Sequence, residues 1–110
     1  MDDDDPLSIY LREVRAVPSL TPDEEVVLWR SRSAAAVKRL VEAHLHLVVS
    51  IAERYRAAGV PMLDLLVNGN EGLMLAVQSF DGAPESFQAH AARHIEGAIS
   101  RAIAALGSPG

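Results

Sequence analysis

Residues 37–80 read VKRLVEAHLHLVVSIAERYRAAGVPMLDLLVNGNEGLMLAVQSF. This stretch decides the fold, because its apolar residues recur at spacings of three and four, the period of a helix that buries one face. The apolar positions within residues 37–55 form one long stripe, and Gly59 and Pro61 stop it. We therefore expect a single helix over residues 37–55.

A second helix is expected directly after this stop. Asp64 opens it, and apolar residues at helical spacing continue to Phe80. Gly69 and Gly72 lie inside this helix, and each costs about 1 kcal/mol relative to alanine. A packing or contact reason is therefore expected at both glycines.

Local start signals predict further helices on either side. Asp5 can cap a helix whose first position is Pro6, and Thr21 with Glu24 forms the pattern of a capping box. A last apolar stripe runs through residues 87–106. The chain is thus predicted to be all-α, a compact bundle of about five helices.

Composition narrows the class of protein. The chain has 110 residues, 49% of them apolar, which is enough for one domain with a core, and it has no cysteine. Disulfide frameworks, cysteine-based zinc sites and thiol catalysis are thereby excluded. No apolar run approaches the roughly 20 residues of a membrane span, and Met1 with four aspartates is the reverse of a basic signal peptide. We expect a cytoplasmic protein that does not enter the membrane.

Charge is unevenly distributed along the chain. The formal net charge is −5, with −6 over residues 1–25, +4 over residues 26–59 and −3 over residues 60–110. The basic middle is either a solvated helix surface or a local positive face that can meet an anion. The sequence contains no nucleophile with a neighbouring base, no glycine-rich phosphate loop and no catalytic carboxylate pair. Neither enzyme activity nor a cofactor is expected.

Four segments resemble one protein family. DPLSIYLREV at residues 5–14 and VPSLTPDEEVVLW at residues 17–29 resemble region 1.2 of the sigma-70 family of bacterial RNA polymerase sigma factors. The stretch from Lys38 to Asp81 resembles regions 2.1 and 2.2, and AISRAIA at residues 98–104 resembles the end of the 2.3 to 2.4 helix. Regions 3 and 4 of the family have no counterpart in this sequence.

The resemblance implies a division of the chain. Residues 1–36 correspond to region 1.2-like helices with an acidic N-terminal tail, residues 37–106 to a region 2-like helical domain, and residues 107–110 to a tail. The aspartates at residues 2–5 are either a solvated tail with a helix cap or a weak nucleic-acid mimic. Trp29 is expected in the core.

The resemblance also implies a docking site for the clamp coiled coil of core RNA polymerase. The family usually reads Asp-Leu-Ile-Gln-Glu-Gly-Asn there, and this chain has Val67 and Asn68 where Gln-Glu is expected and Leu75 in place of a lysine. Docking is expected to be weakened or redirected. The residues expected to bind polymerase are Asp64, Leu65, Asn70, Leu73 and Met74.

The segment that opens promoter DNA in the family departs further. Its aromatic residues wedge and stack on unpaired bases, but this chain has His90, Arg93 and His94 at three of those positions and retains Phe87. Stacking is worth about 1–3 kcal/mol per base, so promoter melting is expected to be poor or absent. The residues implied to contact DNA are Arg12, Phe87, Arg93, His94, Ser100 and Arg101.

The histidines of this segment admit three interpretations. They are ordinary exposed residues, they join Arg93 and Arg101 in touching phosphate without reading bases, or they form a metal-binding or pH-responsive cluster. His90 and His94 are four residues apart, a spacing that lets two imidazoles meet one metal ion. No HExxH pattern accompanies them.

Two functions follow from the resemblance. The first is a transcription initiation module that binds core RNA polymerase and contacts promoter DNA. The second is a degenerate sigma paralogue or fragment that acts as a decoy or regulatory interaction module, engaging polymerase or an anti-sigma-type protein without opening DNA. The retained scaffold supports both, and the lost aromatic residues favour the second.

Overall fold

The computed structural model describes residues 5–107, so residues 2–4 of the predicted acidic stretch and residues 108–110 of the tail predicted at 107–110 lie outside the described residues. Within this part of the chain every regular element is helical, which confirms the all-α class. The elements are α1 (Pro6–Ala16), α2 (Pro22–Ser31), α3 (Ala34–Ala43), α4 (Leu45–Glu53), α5 (Met62–Ser79) and α6 (Phe87–Gly107), with short 3-10 turns at Arg56–Ala58 and Pro84–Ser86.

The two predicted N-terminal helix starts are confirmed. The Asp5 carboxylate accepts a hydrogen bond from the backbone N–H of Ser8 at 2.9 Å. At α2, the Thr21 hydroxyl accepts from the N–H of Glu24 at 3.1 Å, and the Glu24 carboxylate accepts from the N–H of Thr21 at 2.8 Å. These bonds satisfy backbone donors that have no partner in the first turn of a helix.

The helix expected over residues 37–55 is divided in two, so that expectation is wrong at His44. The backbone there leaves the helical region, with φ −112° and ψ 8°. The His44 ring donates through Nδ1 to the Leu40 carbonyl at 2.7 Å, while its backbone N–H bonds to the Val41 carbonyl three residues back. A side chain that competes for a backbone carbonyl interrupts the helical ladder. The helix is thus divided at His44, while the apolar stripe continues across the break from α3 into α4.

Helices α5 and α6 form the centre of the core. They bury Leu73 and Val77 from α5 against Ile95 and Ile99 from α6, all fully inaccessible to solvent. Helix α5 begins at Met62, two residues before the predicted start, and Asp64 lies in its first turn, where a negative charge favours the helix dipole.

Both interior glycines of α5 have the expected packing reason. A Cβ on Gly72 would lie 2.5 Å from the backbone carbonyl oxygen of His94 on α6. A Cβ on Gly69 would lie 2.6 Å from the Val48 side chain of α4. The glycines let three helices approach more closely than any side chain would allow.

Aromatic rings from several elements form a ring cluster in the core. Trp29 is buried, as predicted, with its ring centroid 5.2 Å from that of Phe80 and 4.9 Å from that of Phe87. The His44 ring meets Phe87 edge-on at 4.8 Å. This cluster joins α2 and the α3–α4 break to the start of α6. Between residues 5 and 107, no helix is both long and apolar enough to cross a bilayer.

Gly72→Ala should lower the free energy of unfolding by about 1–3 kcal/mol, although alanine favours a helix by about 1 kcal/mol, because its Cβ meets backbone that cannot turn aside. Urea unfolding monitored by circular dichroism measures this. Gly97→Ala is the matched control, since its Cβ would meet only the flexible Arg101 guanidinium at 3.3 Å. Equal stability of Gly72→Ala and the wild type would contradict the close contact.

Candidate functional site

One surface of α5 faces solvent along its whole length. We call it the α5 face and define it by exposed residues that recur at helical spacing, namely Asp64, Val67, Glu71, Met74, Leu75 and Gln78. Three of them are apolar yet markedly exposed: Val67 at 60%, Leu75 at 53% and Met74 at 44%. Apolar side chains grouped on an exposed helix are typical of a protein-binding surface.

The predicted polymerase contacts divide between this face and the core. Asp64 and Met74 are exposed on the α5 face. Leu65 and Leu73 are fully buried in the core, so their side chains are not presented on this face. The reason is the 3.6-residue period, which turns these two positions toward α4 and α6 when Asp64 and Met74 face outward. Leu65 and Leu73 hold the helix in place instead.

Asn70 is committed to a contact inside the molecule. Its amide nitrogen donates to the hydroxyl of Tyr10 at 3.0 Å, which ties α5 to α1. Its Oδ1 is buried without a hydrogen-bond partner among the described residues. Asn70 therefore joins the region 1.2-like helix to α5, a role that the local sequence pattern did not reveal.

A groove between α5 and α6 brings the two predicted sites together. It encloses about 770 Å³, and Met74 and Leu75 of the α5 face form its wall on one side. Arg101, which was predicted to contact DNA, lies on the other side with Ala98 and Ala102. Glu71 lines the same groove, so one acidic and one basic side chain border it, and the amide side chains of Asn68, Asn70 and Gln78 line it as well.

A second concave surface lies on α6 alone. We call it the α6 basic face and define it as His90, Arg93, His94 and Arg101 around Gly97, which together line about 320 Å³. The His90 and His94 ring centroids are 4.6 Å apart. A Cβ on Gly97 would meet Nη1 of Arg101 at 3.3 Å, so the guanidinium folds back over the glycine toward His94. Gly97 was missed as a site residue, although its place between His94 and Arg101 on one helix face is readable from spacing.

The environment of the α6 basic face disfavours the protonated form of His94. Partial burial lowers the pKa of His94, and the nearby His90, Arg93 and Arg101 lower it further because they oppose a second positive charge. Nε2 of His90 lies 3.3 Å from the Ser79 hydroxyl of α5.

The remaining predicted DNA contacts are dispersed. Ser100 is exposed on α6, and Arg12 is exposed on α1. Phe87 is only 1% exposed, so its ring is not presented at the surface of this structure. It is the first residue of α6 and points into the ring cluster with Trp29 and Phe80. Burying a large apolar ring in the core gives a more favourable free energy than leaving it exposed to water.

The predicted basic middle of the chain is largely used within the fold. Arg54 pairs with Glu96 of α6 at 2.6 Å, and Arg56 lies 3.9 Å from Glu53. Backbone carbonyls accept from two more, Arg39 at Pro18 and Arg32 at Val77. Because these four arginines make contacts within the chain, they count against the interpretation of this segment as an open positive face.

The rings of His90 and His94 are adjacent, as a shared metal ion would require, but no further ligand lies with them in the part of the chain that is described. Over the described range of residues 5–107, no three His, Cys, Asp or Glu side chains are grouped so that they could hold a metal ion. Two imidazoles leave a tetrahedral zinc site half filled. The α6 basic face is therefore better suited to an anion than to a cation.

Comparison with known proteins gives consistent matches. The family described as Sigma-70 region 2 matches residues 40–108, and Sigma-70 factor, region 1.2, matches residues 5–28. RNA polymerase sigma factor SigA of Clostridium acetobutylicum is 46% identical over 92% of this chain, and that of Listeria monocytogenes is 46% identical over 91%. SigA of Lactococcus lactis subsp. cremoris is 44% identical over 92%. The chain spans 28%, 28% and 30% of these relatives, less than a third of their length.

The NMR titration of the His94 ring protons should have its midpoint below the ordinary histidine value of about 6.5. Since folding lowers this pKa, the unfolded chain takes up the proton more readily, and His94 should cost stability as the pH falls through 6.5. His90→Asn should move the midpoint upward by removing a neighbouring positive charge. The control His46→Asn should leave it unchanged, and a wild-type midpoint above 6.5 would contradict the burial of His94.

Proposed function

The chain belongs to the sigma-70 family of RNA polymerase sigma factors, and we propose that it acts in transcription initiation by binding core RNA polymerase and contacting promoter DNA. The match over residues 40–108 is the observation that carries this proposal, because it includes both helices that bear the candidate surfaces. We further propose that residues 1–36 act as region 1.2 and residues 37–106 as region 2. The role is non-enzymatic and cytoplasmic, where RNA polymerase works.

The α5 face is the proposed polymerase-binding surface. Asp64 supplies a charge at its start, and Met74 with Leu75 supplies apolar area near its end. A small number of apolar and charged anchors carries most of the energy of a protein interface. Val67 and Leu75 stand where the family pattern has polar residues, so the partner surface is expected to be met through apolar contact more than through charge.

Promoter contact is proposed through the α6 basic face, with Ser100 beside it and Arg12 on α1. Arg93 and Arg101 are exposed and suit phosphate oxygens, which position a protein on DNA without reading its sequence. Their place near the groove that Met74 lines supports simultaneous contact with polymerase and DNA.

Promoter melting by this chain is proposed to be weak. Phe87, the one aromatic residue retained from the family's base-capturing set, is buried in the ring cluster and presents no stacking surface. Unstacking a base costs a few kcal/mol, which aromatic stacking normally offsets. This observation also favours a second candidate function, an interaction module that engages polymerase or an anti-sigma-type protein without opening DNA.

Asp64→Asn and Met74→Ala should each weaken binding to core RNA polymerase by about tenfold, because each removes an exposed anchor from the α5 face. Surface plasmon resonance with immobilised polymerase measures the dissociation constants. Asp23→Asn and Val27→Ala are matched controls, since they change an exposed first-turn carboxylate and an exposed valine on α2. Absence of wild-type binding would overturn the first candidate function and leave, of the second, only the interaction with an anti-sigma-type protein.

His90→Tyr combined with His94→Trp should raise the affinity for a single-stranded non-template oligonucleotide by about tenfold or more, because each stacked base is worth about 1–3 kcal/mol. Fluorescence anisotropy over a salt series separates stacking from phosphate contact. His46→Trp adds an aromatic ring at an exposed position of α4 and serves as the control. Strong base-specific capture by the wild type would overturn the proposed weakness in melting.

A further inference from the structure

We propose that the α6 basic face binds the phosphodiester backbone of single-stranded DNA together with protons, so that binding strengthens as the pH falls. The proposal rests on the promoter contact proposed above and specifies its regulation. It assigns the imidazoles of His90 and His94 the role of titratable phosphate ligands beside the permanently charged Arg93 and Arg101.

The geometry places four nitrogen-bearing side chains on one concave surface. The two imidazole rings are neighbours at 4.6 Å, and the Arg101 guanidinium lies over Gly97 and extends the row toward them. From His90 to Arg101 the helix rises roughly 16 Å at 1.5 Å per residue. That length exceeds one phosphate group, so the face can contact more than one phosphate of a single strand.

The elements packed around α6 leave this charge uncompensated. From α5, Ser79 contacts His90 and Glu71 borders the groove that Arg101 shares. From α4, Arg54 takes up Glu96, the acidic residue of α6 itself.

The remaining neighbours do not neutralise the face either. The break between α3 and α4 contributes His44 and His46, which are themselves titratable, and the turn before α6 contributes Glu85. In the part of the chain that the structure describes, no carboxylate forms an ion pair with His90, Arg93, His94 or Arg101.

Proton uptake follows from this arrangement. In the free protein, burial and three neighbouring basic groups lower the pKa of His94 and so favour its neutral form. A bound phosphate reverses the local field, offsets the positive neighbours and favours the imidazolium form. By linkage, the association constant then rises about tenfold for each unit by which the pH falls and for each proton taken up. This holds between the pKa of the imidazole in the bound protein and its pKa in the free protein. An aromatic ring at these positions has no such dependence.

Binding of a fluorescent 12-residue oligothymidylate, measured by anisotropy at constant ionic strength between about pH 5.5 and 8.5, tests the proposal, because histidine titrates within this range and thymine does not. The wild type should bind at least tenfold tighter at pH 5.5 than at pH 7.5. The double variant His90→Asn with His94→Asn should lose most of that gain. Gly97→Ala should weaken binding by displacing the Arg101 guanidinium, and the urea unfolding proposed above is the control for its folding.

His46→Asn distinguishes a local site from bulk charge, since it removes one titratable group that does not line the α6 basic face. It should keep the pH dependence of the wild type, and an equal loss in both histidine variants would overturn the proposal in favour of net charge. A flat profile with measurable binding would overturn the pH dependence and leave the proposed promoter contact standing. No binding at any pH would overturn the inference together with that promoter contact, and polymerase binding tests the rest of the proposed function separately.

Discussion

The close approach of α5 and α6 is the constraint on which the rest of the structure depends. Gly72 lies so near the His94 carbonyl that a single added carbon would sit 2.5 Å from it. The approach lets Leu73 and Ile95 share a core that excludes water, and dispersion and hydrophobic burial both fall steeply when such helices separate. It also holds His94 at a fixed position, so the same contact that stabilises the bundle orients the α6 basic face.

The two candidate surfaces are consequences of this one helix pair. Because α5 and α6 bury their facing sides, the α5 face and the α6 basic face are the sides that remain, and they meet at the groove bordered by Met74 and Arg101. A partner seated on α5 would lie next to an anion held on α6. The proposed contacts with protein and with phosphate would therefore lie on neighbouring surfaces of one helix pair.

The aromatic rings of the chain stabilise the core, while titratable rings face the surface. Trp29, Phe80 and Phe87 pack together, and His90 and His94 stand where the family pattern has rings that capture bases. The aromatic rings of this chain therefore contribute to folding. Under the proposed function, contact with DNA would rest on charge, which depends on salt and on pH, whereas base stacking depends on shape.

The sequence by itself determined the helical class, the capped starts at Asp5 and Thr21 and the family, because periodicity, caps and ordered matches are local or linear signals. Tertiary structure decided the rest. The packing of neighbouring elements decides which side of a helix is buried, so Leu65 and Phe87, which were predicted as site residues, lie in the core. Three features depend on specific atomic contacts: the break at His44, the hydrogen bond from Asn70 to Tyr10 and the position of Arg101 over Gly97. The spacing of residues along the chain does not predict such contacts.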